Sequence, residues 1–198
     1  MDPRARRSRD RLTKTVLAFA ERGRLDDVTV SELARAAEVT RDTFYRHATS
    51  VTDLLTLAIR ELLEEFGAAY SAELPPRSEL ATVLRESEPA LLHHIAEHAN
   101  VYRTALSGPN ASPVYRTLVD FLARSLELAL REYPDIAPLP PDELDGSAVA
   151  MISVYGAAGF VAAVREWLVI GDLDDVDRAV RVISSGAPQW WSRATGRL

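Results

Sequence analysis

Residues 29–55, TVSELARAAEVTRDTFYRHATSVTDLL, constrain the fold of this chain more than any other stretch. Thr29 and Glu32 form a T-x-x-E capping box, which predicts the start of a helix. Thr40 can cap a second helix, and the S-x-x-D pattern that begins at Ser50 predicts the start of a third. The stretch therefore encodes two short helices joined by a tight turn and followed by the beginning of another helix.

The spacing of Ala34 and Phe44 indicates how the first two of these helices pack. Two helices that cross closely need a small residue at the crossing point, and Ala34 supplies one. Phe44 then fills the space between the helices from the other side. With Phe44 inward, the outward positions are Thr40, Arg41, Asp42, Tyr45 and Arg46. A helix face of this kind suits the DNA major groove, which admits one α-helix.

Residues 9–57 resemble the DNA-binding domain of the TetR family of transcriptional regulators, through VTVSELARAAEVTRDTFYRH at 28–47 and S-x-x-D-L-L at 50–55. The resemblance implies an all-α protein with an N-terminal three-helix helix-turn-helix head and a C-terminal helical bundle for effector binding and dimerisation. In it, Arg41 would contact a guanine edge, and Tyr45 and His47 the DNA backbone. The residues expected to contact DNA are Thr29, Thr40, Arg41, Asp42, Thr43, Tyr45, Arg46 and His47, with Arg4, Arg6 and Arg7 of the N-terminus.

Three positions depart from the family pattern. Glu38 occupies the turn, where the family usually has glycine, and a side chain at left-handed φ costs about 1 kcal/mol. Ala48 replaces a usual aromatic residue, and Val51 replaces a frequent lysine that meets a backbone phosphate. These departures leave open an alternative, a helical dimer that binds a ligand or a protein and has little affinity for DNA.

The charge is divided unevenly along the chain. Residues 1–60 hold 12 basic and 9 acidic side chains, a balance of +3, whereas residues 61–198 hold 11 and 20, a balance of −9. This division indicates that the N-terminal part alone meets a polyanion. Residues 1–8 are expected to be mobile and to carry Arg4, Arg6 and Arg7 as a basic arm for the minor groove or phosphates.

Apolar periodicity and proline positions predict the domain organisation. They divide the chain into residues 1–66, with a fourth helix as connector, a boundary at 67–77, and residues 78–198. The resemblance implies that the first part is the DNA-binding head and the last the effector-binding and dimerisation domain. In that domain the expected helices are 78–99, with Pro89 able to start a new one, 114–132, 144–170 and 174–190. A turn at 101–106 and a loop at 107–113 separate the first two.

The helix at 144–170 is apolar nearly all round, and its uncharged run of 19 residues, Gly146 to Val164, is borderline for a membrane span. We expect it to be buried between protein surfaces and to pair with its copy in a homodimer, not to enter a membrane. The expected interface residues are Val149, Ile152, Gly156, Gly159, Phe160, Val180 and Ile183.

The chain also contains residue types that suit other functional sites. The expected effector-lining residues, chosen as aromatic or polar-tipped groups, are Tyr102, Arg116, Phe121, Tyr155 and Trp167. His94 and His98 have the spacing of metal ligands, but no cysteine completes a shell, so no metal and no cofactor are expected. No nucleophile, phosphate-loop or dinucleotide motif indicates an enzyme.

These observations together predict a cytoplasmic regulator, a repressor that binds a palindromic operator in double-stranded DNA as a homodimer and leaves it when a small-molecule effector binds. The absence of cysteine agrees with a reducing compartment. A helical-bundle enzyme is the remaining alternative from a different class. Neither the operator sequence nor the effector can be derived from these residues.

Overall fold

The computed structural model describes residues 3–25, 27–70, 75–107, 111–171 and 173–194, and these ranges contain helices and no strand. The all-α prediction is confirmed. A short 3-10 helix lies at Pro134–Ile136. The α-helices are α1 (Pro3–Glu21), α2 (Val30–Ala36), α3 (Arg41–Tyr45), α4 (Val51–Tyr70), α5 (Arg77–Glu97), α6 (Ala99–Ala105), α7 (Ala111–Glu132), α8 (Gly146–Ile170), α9 (Val176–Ser185) and α10 (Gln189–Ala194).

The chain folds into two compact units. The first comprises Met1–Glu64 and His98–Thr117, and the second comprises Glu65–Glu97 and Leu118–Leu198. The first unit therefore contains α6 and the beginning of α7 in addition to the predicted head. The chain passes between the units within α4, after α5 and within α7.

In the first unit, α1 packs against α2 and α6, and α2 packs against α3. The Thr104 hydroxyl of α6 donates to the Ala20 carbonyl at the end of α1 (2.9 Å), and the Asn100 amide donates to Glu21 (3.2 Å). These bonds attach α6 to the C-terminal end of α1. The largest fully buried side chains in this unit include Leu12, Leu33, Phe44, Leu54, Leu55, Ile59, Leu63 and Tyr102.

In the second unit, α9 packs on α5 and α8, and α10 packs on the 3-10 helix. A buried apolar cluster joins five elements and consists of Leu80, Ala129, Leu130, Ile136, Val149 and Ala194. Two polar contacts join the start of α5 to the segment around the 3-10 helix. The Arg77 guanidinium pairs with Asp135, and the Tyr133 hydroxyl donates to the Pro75 carbonyl. The Arg77 guanidinium donates hydrogen bonds to Asp135, and these lower the pKa of that carboxyl.

The structure corrects several predicted boundaries. Helix α1 begins at Pro3, so residues 3–8 are helical and the expected mobile arm is wrong there; proline at a first helical position is already shaped for the helix. Helix α5 continues through Pro89, because buried Leu80 on one side and Leu91 on the other hold both halves in place. The predicted turn at 101–106 is helix α6, and the predicted loop ends early because α7 starts at Ala111. Residues 108–110 of that loop lie outside the described residues.

Candidate DNA-binding surface

Local hydrogen bonds set the ends of the helices that form this surface. The Thr29 hydroxyl accepts from the Glu32 N–H (3.2 Å), and the Glu32 carboxylate accepts from the Thr29 N–H (3.0 Å), so the predicted capping box is confirmed. The same bonds lower the pKa of Glu32. Thr40 caps α3 by accepting from the Thr43 N–H (3.1 Å), and Ser50 accepts from the Asp53 N–H (3.0 Å) at the start of α4. All three predicted helix starts are confirmed.

The turn between α2 and α3 has the backbone conformation that the family usually gives to glycine. Glu38 has φ +54°. Its N–H donates to the Arg35 carbonyl (3.1 Å), and the Val39 N–H donates to the Ala34 carbonyl (2.9 Å). This pair of bonds is a Schellman motif, which requires a left-handed residue immediately after the helix. The Arg11 guanidinium lies 3.4 Å from the Glu38 carboxylate and so connects α1 to the turn.

The packing of α2 against α3 agrees with the prediction. Phe44 is fully buried, and Ala34 is buried on α2. The predicted outward residues are accordingly accessible, whereas Thr43 and His47 are half-buried. The exposed members of the predicted DNA-contacting set are Arg4, Arg6, Arg7, Thr29, Thr40, Arg41, Asp42, Tyr45 and Arg46.

The aromatic side chain at the centre of this face is held from two sides. The Tyr45 ring lies edge-on to buried Phe44, with 5.5 Å between ring centroids. The Arg41 guanidinium carbon is 6.0 Å from the centroid of the Tyr45 ring, at the limit of a cation–π contact. These contacts place the Tyr45 ring and the Arg41 guanidinium side by side on one short helix.

Arg9 and Arg46 lie near His47, beside the recognition helix. Arg9 forms an ion pair with Glu61 of α4, and Arg46 is exposed at the end of α3. Burial, followed by the charges of Arg9 and Arg46, lowers the pKa of His47, so His47 is neutral at pH 7. An anion placed beside these groups would meet the exposed Arg46 guanidinium, whereas the charge of Arg9 is balanced by Glu61.

The predicted effector residues do not form one group. Tyr102 and Trp167 are buried, and burial raises the pKa of the Tyr102 phenol. Phe121 is half-buried against Gly67, where an added Cβ would lie 3.3 Å from the ring. Arg116 and Tyr155 are exposed, so neither side chain is enclosed by its own unit, and contact with an effector stays a prediction for all five residues. Periodicity could not predict the exposure of Tyr155, because α8 is apolar nearly all round.

The predicted dimer residues lie on several faces of α8 and α9. Val149 is buried in the apolar cluster of its own subunit, and Gly156 faces Leu126, which an added Cβ would approach to 3.3 Å. Gly159 is exposed, and four residues are half-buried: Ile152, Phe160, Val180 and Ile183. The prediction missed the most exposed large apolar residues of these helices, which are Met151, Val154, Tyr155, Val169, Ile170 and Val182. Their i, i+3 and i+4 spacing on α8 was the available signal.

The described residues contain no group of three His, Asp or Glu side chains that could hold a metal ion. His94 instead lies against Phe66, with 5.3 Å between ring centroids. Among the described helices, α8 alone has the length and apolar composition of a membrane span. Eight of its side chains, however, are buried in the protein.

Comparison with known proteins places this surface in context. A family model for bacterial regulatory proteins of the tetR family matches residues 12–58. No curated protein sequence matches the chain. Among solved structures that share its fold, RolR in complex with resorcinol has a TM-score of 0.67 and 16% sequence identity, with 99% of this chain and 95% of that chain covered. The fatty acid degradation regulator FadR from Bacillus halodurans has a TM-score of 0.59 and 16% identity, with 90% of this chain and 99% of that chain covered. The dihydroxyacetone kinase operon activator DhaS has a TM-score of 0.58 and 14% identity, with 91% of this chain and 96% of that chain covered.

Proposed function

We propose that this chain, whose residues 12–58 match the model for bacterial regulatory proteins of the tetR family, is a repressor that binds a palindromic operator as a homodimer and releases it when a small molecule binds. The observation that carries this proposal is the polar face of α3, which stands out from a buried Phe44. No member of the predicted DNA-contacting set is buried. We place the protein in the cytoplasm, where its DNA target lies.

Three kinds of DNA contact are available on this face. Arg41 is exposed at the first position of α3 and can donate two hydrogen bonds to a guanine edge. The Thr40 and Thr43 hydroxyls are 2.9 Å apart, and each can accept or donate a further bond to a base or a phosphate. Tyr45, Arg46 and His47 follow along the helix and are suited to phosphate contacts. Arg4, Arg6 and Arg7 extend the positive surface along α1.

An exposed apolar face supports the homodimer. Met151 is 67% exposed, Tyr155 76% and Ile170 68% on α8, and Val182 is 58% exposed on α9. Large apolar patches of this kind on a soluble protein mark an interaction surface. Pairing of α8 and α9 with their copies about a two-fold axis would bury it, together with half-buried Ile152, Phe160, Val180 and Ile183. A two-fold axis in turn implies two inverted half-sites in the operator.

Release by an effector is supported by the continuity of α4. This helix begins with the Ser50 cap in the first unit and continues past Glu64 into the second, so it can act as a lever on the head. One of the proteins that share the fold was solved with the ligand resorcinol, and another is described as an activator. A repressor is the direction we propose for this chain.

The test is selection of binding sites from random duplex DNA, followed by a gel shift with the selected sequence and with the DNA upstream of the protein's own gene. We expect a palindrome. Arg41→Ala should weaken binding to it by about 1–3 kcal/mol and relax the preference at one base of each half-site. Arg60→Ala is the matched control, since Arg60 is an exposed arginine of the same unit that forms an ion pair with Glu64 on its own helix.

Failure to select any sequence would contradict the proposal and favour the helical dimer with little DNA affinity. A selected sequence without two-fold symmetry would contradict the homodimer on the operator. If Arg41→Ala and Arg60→Ala behave alike, Arg41 is not the residue that contacts a base.

A further inference from the structure

The second unit contains a hydroxyl group that the fold leaves without a partner. Ser153 of α8 is fully buried, and its Oγ has no hydrogen-bond partner among the described residues. The other buried polar side chain of this unit in the described residues is Glu88, whose carboxylate accepts from the Ser184 hydroxyl (2.7 Å). Buried polar groups in folded proteins are almost always paired, so the hydroxyl of Ser153 calls for an explanation.

The surroundings of Ser153 along α8 are apolar and small. Val149, one turn earlier, is buried in the apolar cluster, and Ala157, one turn later, is also buried. Val161 and Val164 continue the same inner face. Alanine at position 153 would continue this face without any unpaired polar atom. An unpaired hydroxyl there lowers the stability of the folded protein, and proteins retain such destabilising groups at sites that bind a ligand.

We propose that Ser153 Oγ is the hydrogen-bonding anchor of the effector site in the second unit, and that the effector is a small, neutral, largely apolar molecule with one hydroxyl or carbonyl group. This inference rests on the proposed response to a small molecule. A charged group would be unpaired beside the buried, apolar Val149 and Ala157, so the surroundings of Ser153 favour a neutral molecule.

A structural role for Ser153 makes a different prediction. Serine in a helix can donate to the carbonyl four residues earlier, as Ser125 of α7 does to Phe121 (3.2 Å). If the Ser153 hydroxyl formed such a bond in solution, its removal would leave the stability unchanged or lower it. If it is unpaired, Ser153→Ala should raise the Tm by about 2 °C, because an unsatisfied buried group is removed. Ser125→Ala, an exposed helix serine, is the matched control and should leave Tm unchanged.

The binding experiment uses phenol and toluene as probes, since they have nearly the same shape and differ by one hydroxyl group. Calorimetry on the full-length protein should give a Kd for phenol about tenfold below that for toluene, as expected for one neutral hydrogen bond. In Ser153→Ala, phenol should lose this tenfold advantage while toluene binds as before. Ser125→Ala should bind both probes like the wild type.

Several results would overturn the inference. The first is a wild type that binds neither probe or binds both equally, and the second is a Ser153→Ala variant that keeps the preference for phenol. The third is an unchanged or lowered Tm in that variant. The gel shift with the selected operator is run on the same protein preparations without a probe. Intact operator binding with no probe selectivity would refute the site alone, whereas probe selectivity without operator binding would refute the regulator alone.

Discussion

We expect Glu38→Gly to stabilise the protein, because Glu38 holds a backbone conformation that suits glycine. It is the one non-glycine residue with positive φ in the described part of the chain. The α1 helix ends in the same Schellman pattern, with Gly23 at φ +64°, the Gly23 N–H bonded to Ala20 and the Arg24 N–H bonded to Phe19. The chain thus contains the motif twice, once with the expected glycine and once with glutamate.

The magnitude follows from three opposing contributions. Relief of the left-handed strain is worth about 1–2 kcal/mol. The added freedom of glycine in the unfolded chain costs about 0.4–1 kcal/mol. Loss of the ion pair with Arg11 costs about 0.5 kcal/mol, because its side chains are 57% and 78% exposed and such pairs are weak. The net stabilisation is therefore about 0.3 kcal/mol, or roughly 1 °C in Tm for a chain of this length.

Calorimetric melting of a small set of variants isolates the backbone contribution. Glu38→Ala and Glu38→Gly both remove the ion pair, and they differ by one Cβ at a left-handed position. After the greater freedom of glycine in the unfolded chain is subtracted, Glu38→Gly should melt roughly 2–3 °C above Glu38→Ala. Gly23→Ala is the reciprocal test, since an added Cβ there meets nothing within 4 Å and any loss of stability comes from the backbone alone. A Glu38→Gly variant no more stable than Glu38→Ala would refute the strain argument.

The same position should influence DNA binding through its charge. Glu38 lies two residues before Thr40, the cap of α3, and its carboxylate pairs with the Arg11 guanidinium. Glu38→Gln and Glu38→Gly should both bind non-specific DNA more tightly than wild type, and more so at low salt, where charges are least screened. If Glu38→Gln binds like wild type at low salt, the carboxylate is too far from the phosphates to matter.

Three further outcomes can be measured directly. Replacement of Arg4, Arg6 and Arg7 by alanine should lower affinity for all DNA alike and flatten the slope of log K against log salt; an unchanged slope would show that these side chains contact no phosphate. Tyr155→Glu should convert the proposed dimer to monomer in sedimentation, and a dimer of unchanged stability would exclude that face of α8 from the interface. Hydrogen bonds from N–H groups at the start of α8 and from a neighbouring serine hydroxyl lower the pKa of Asp145, so its stabilisation is present above the ordinary Asp pKa and is lost as pH falls through the folded-state value. Melting curves of wild type and Asp145→Ala should differ at pH 7 and converge at acid pH, and a constant difference would contradict that cause.

Much of the candidate site follows from sequence because its determinants are local. The capping bonds of Thr29, Thr40 and Ser50 each join residues three positions apart. The left-handed turn at Glu38 follows from bonds that span three and five residues. The burial of Phe44 follows from helical spacing within one short segment. Interactions between residues so close in the sequence can be recognised from the sequence alone. The helix starts and the exposed face predicted within residues 29–55 are confirmed.

Tertiary structure decided what depends on distant contacts. The attachment of α6 to the first unit rests on a hydrogen bond between Thr104 and Ala20, which are 84 positions apart. No local sequence pattern predicts a contact over that separation. The exposure of Tyr155 and the burial of Ser153 were equally hidden, because α8 is apolar nearly all round and its period does not distinguish the inner face from the outer. The sequence by itself determined the local geometry of the DNA-binding head, whereas only long-range packing decided which side of a uniformly apolar helix remained accessible.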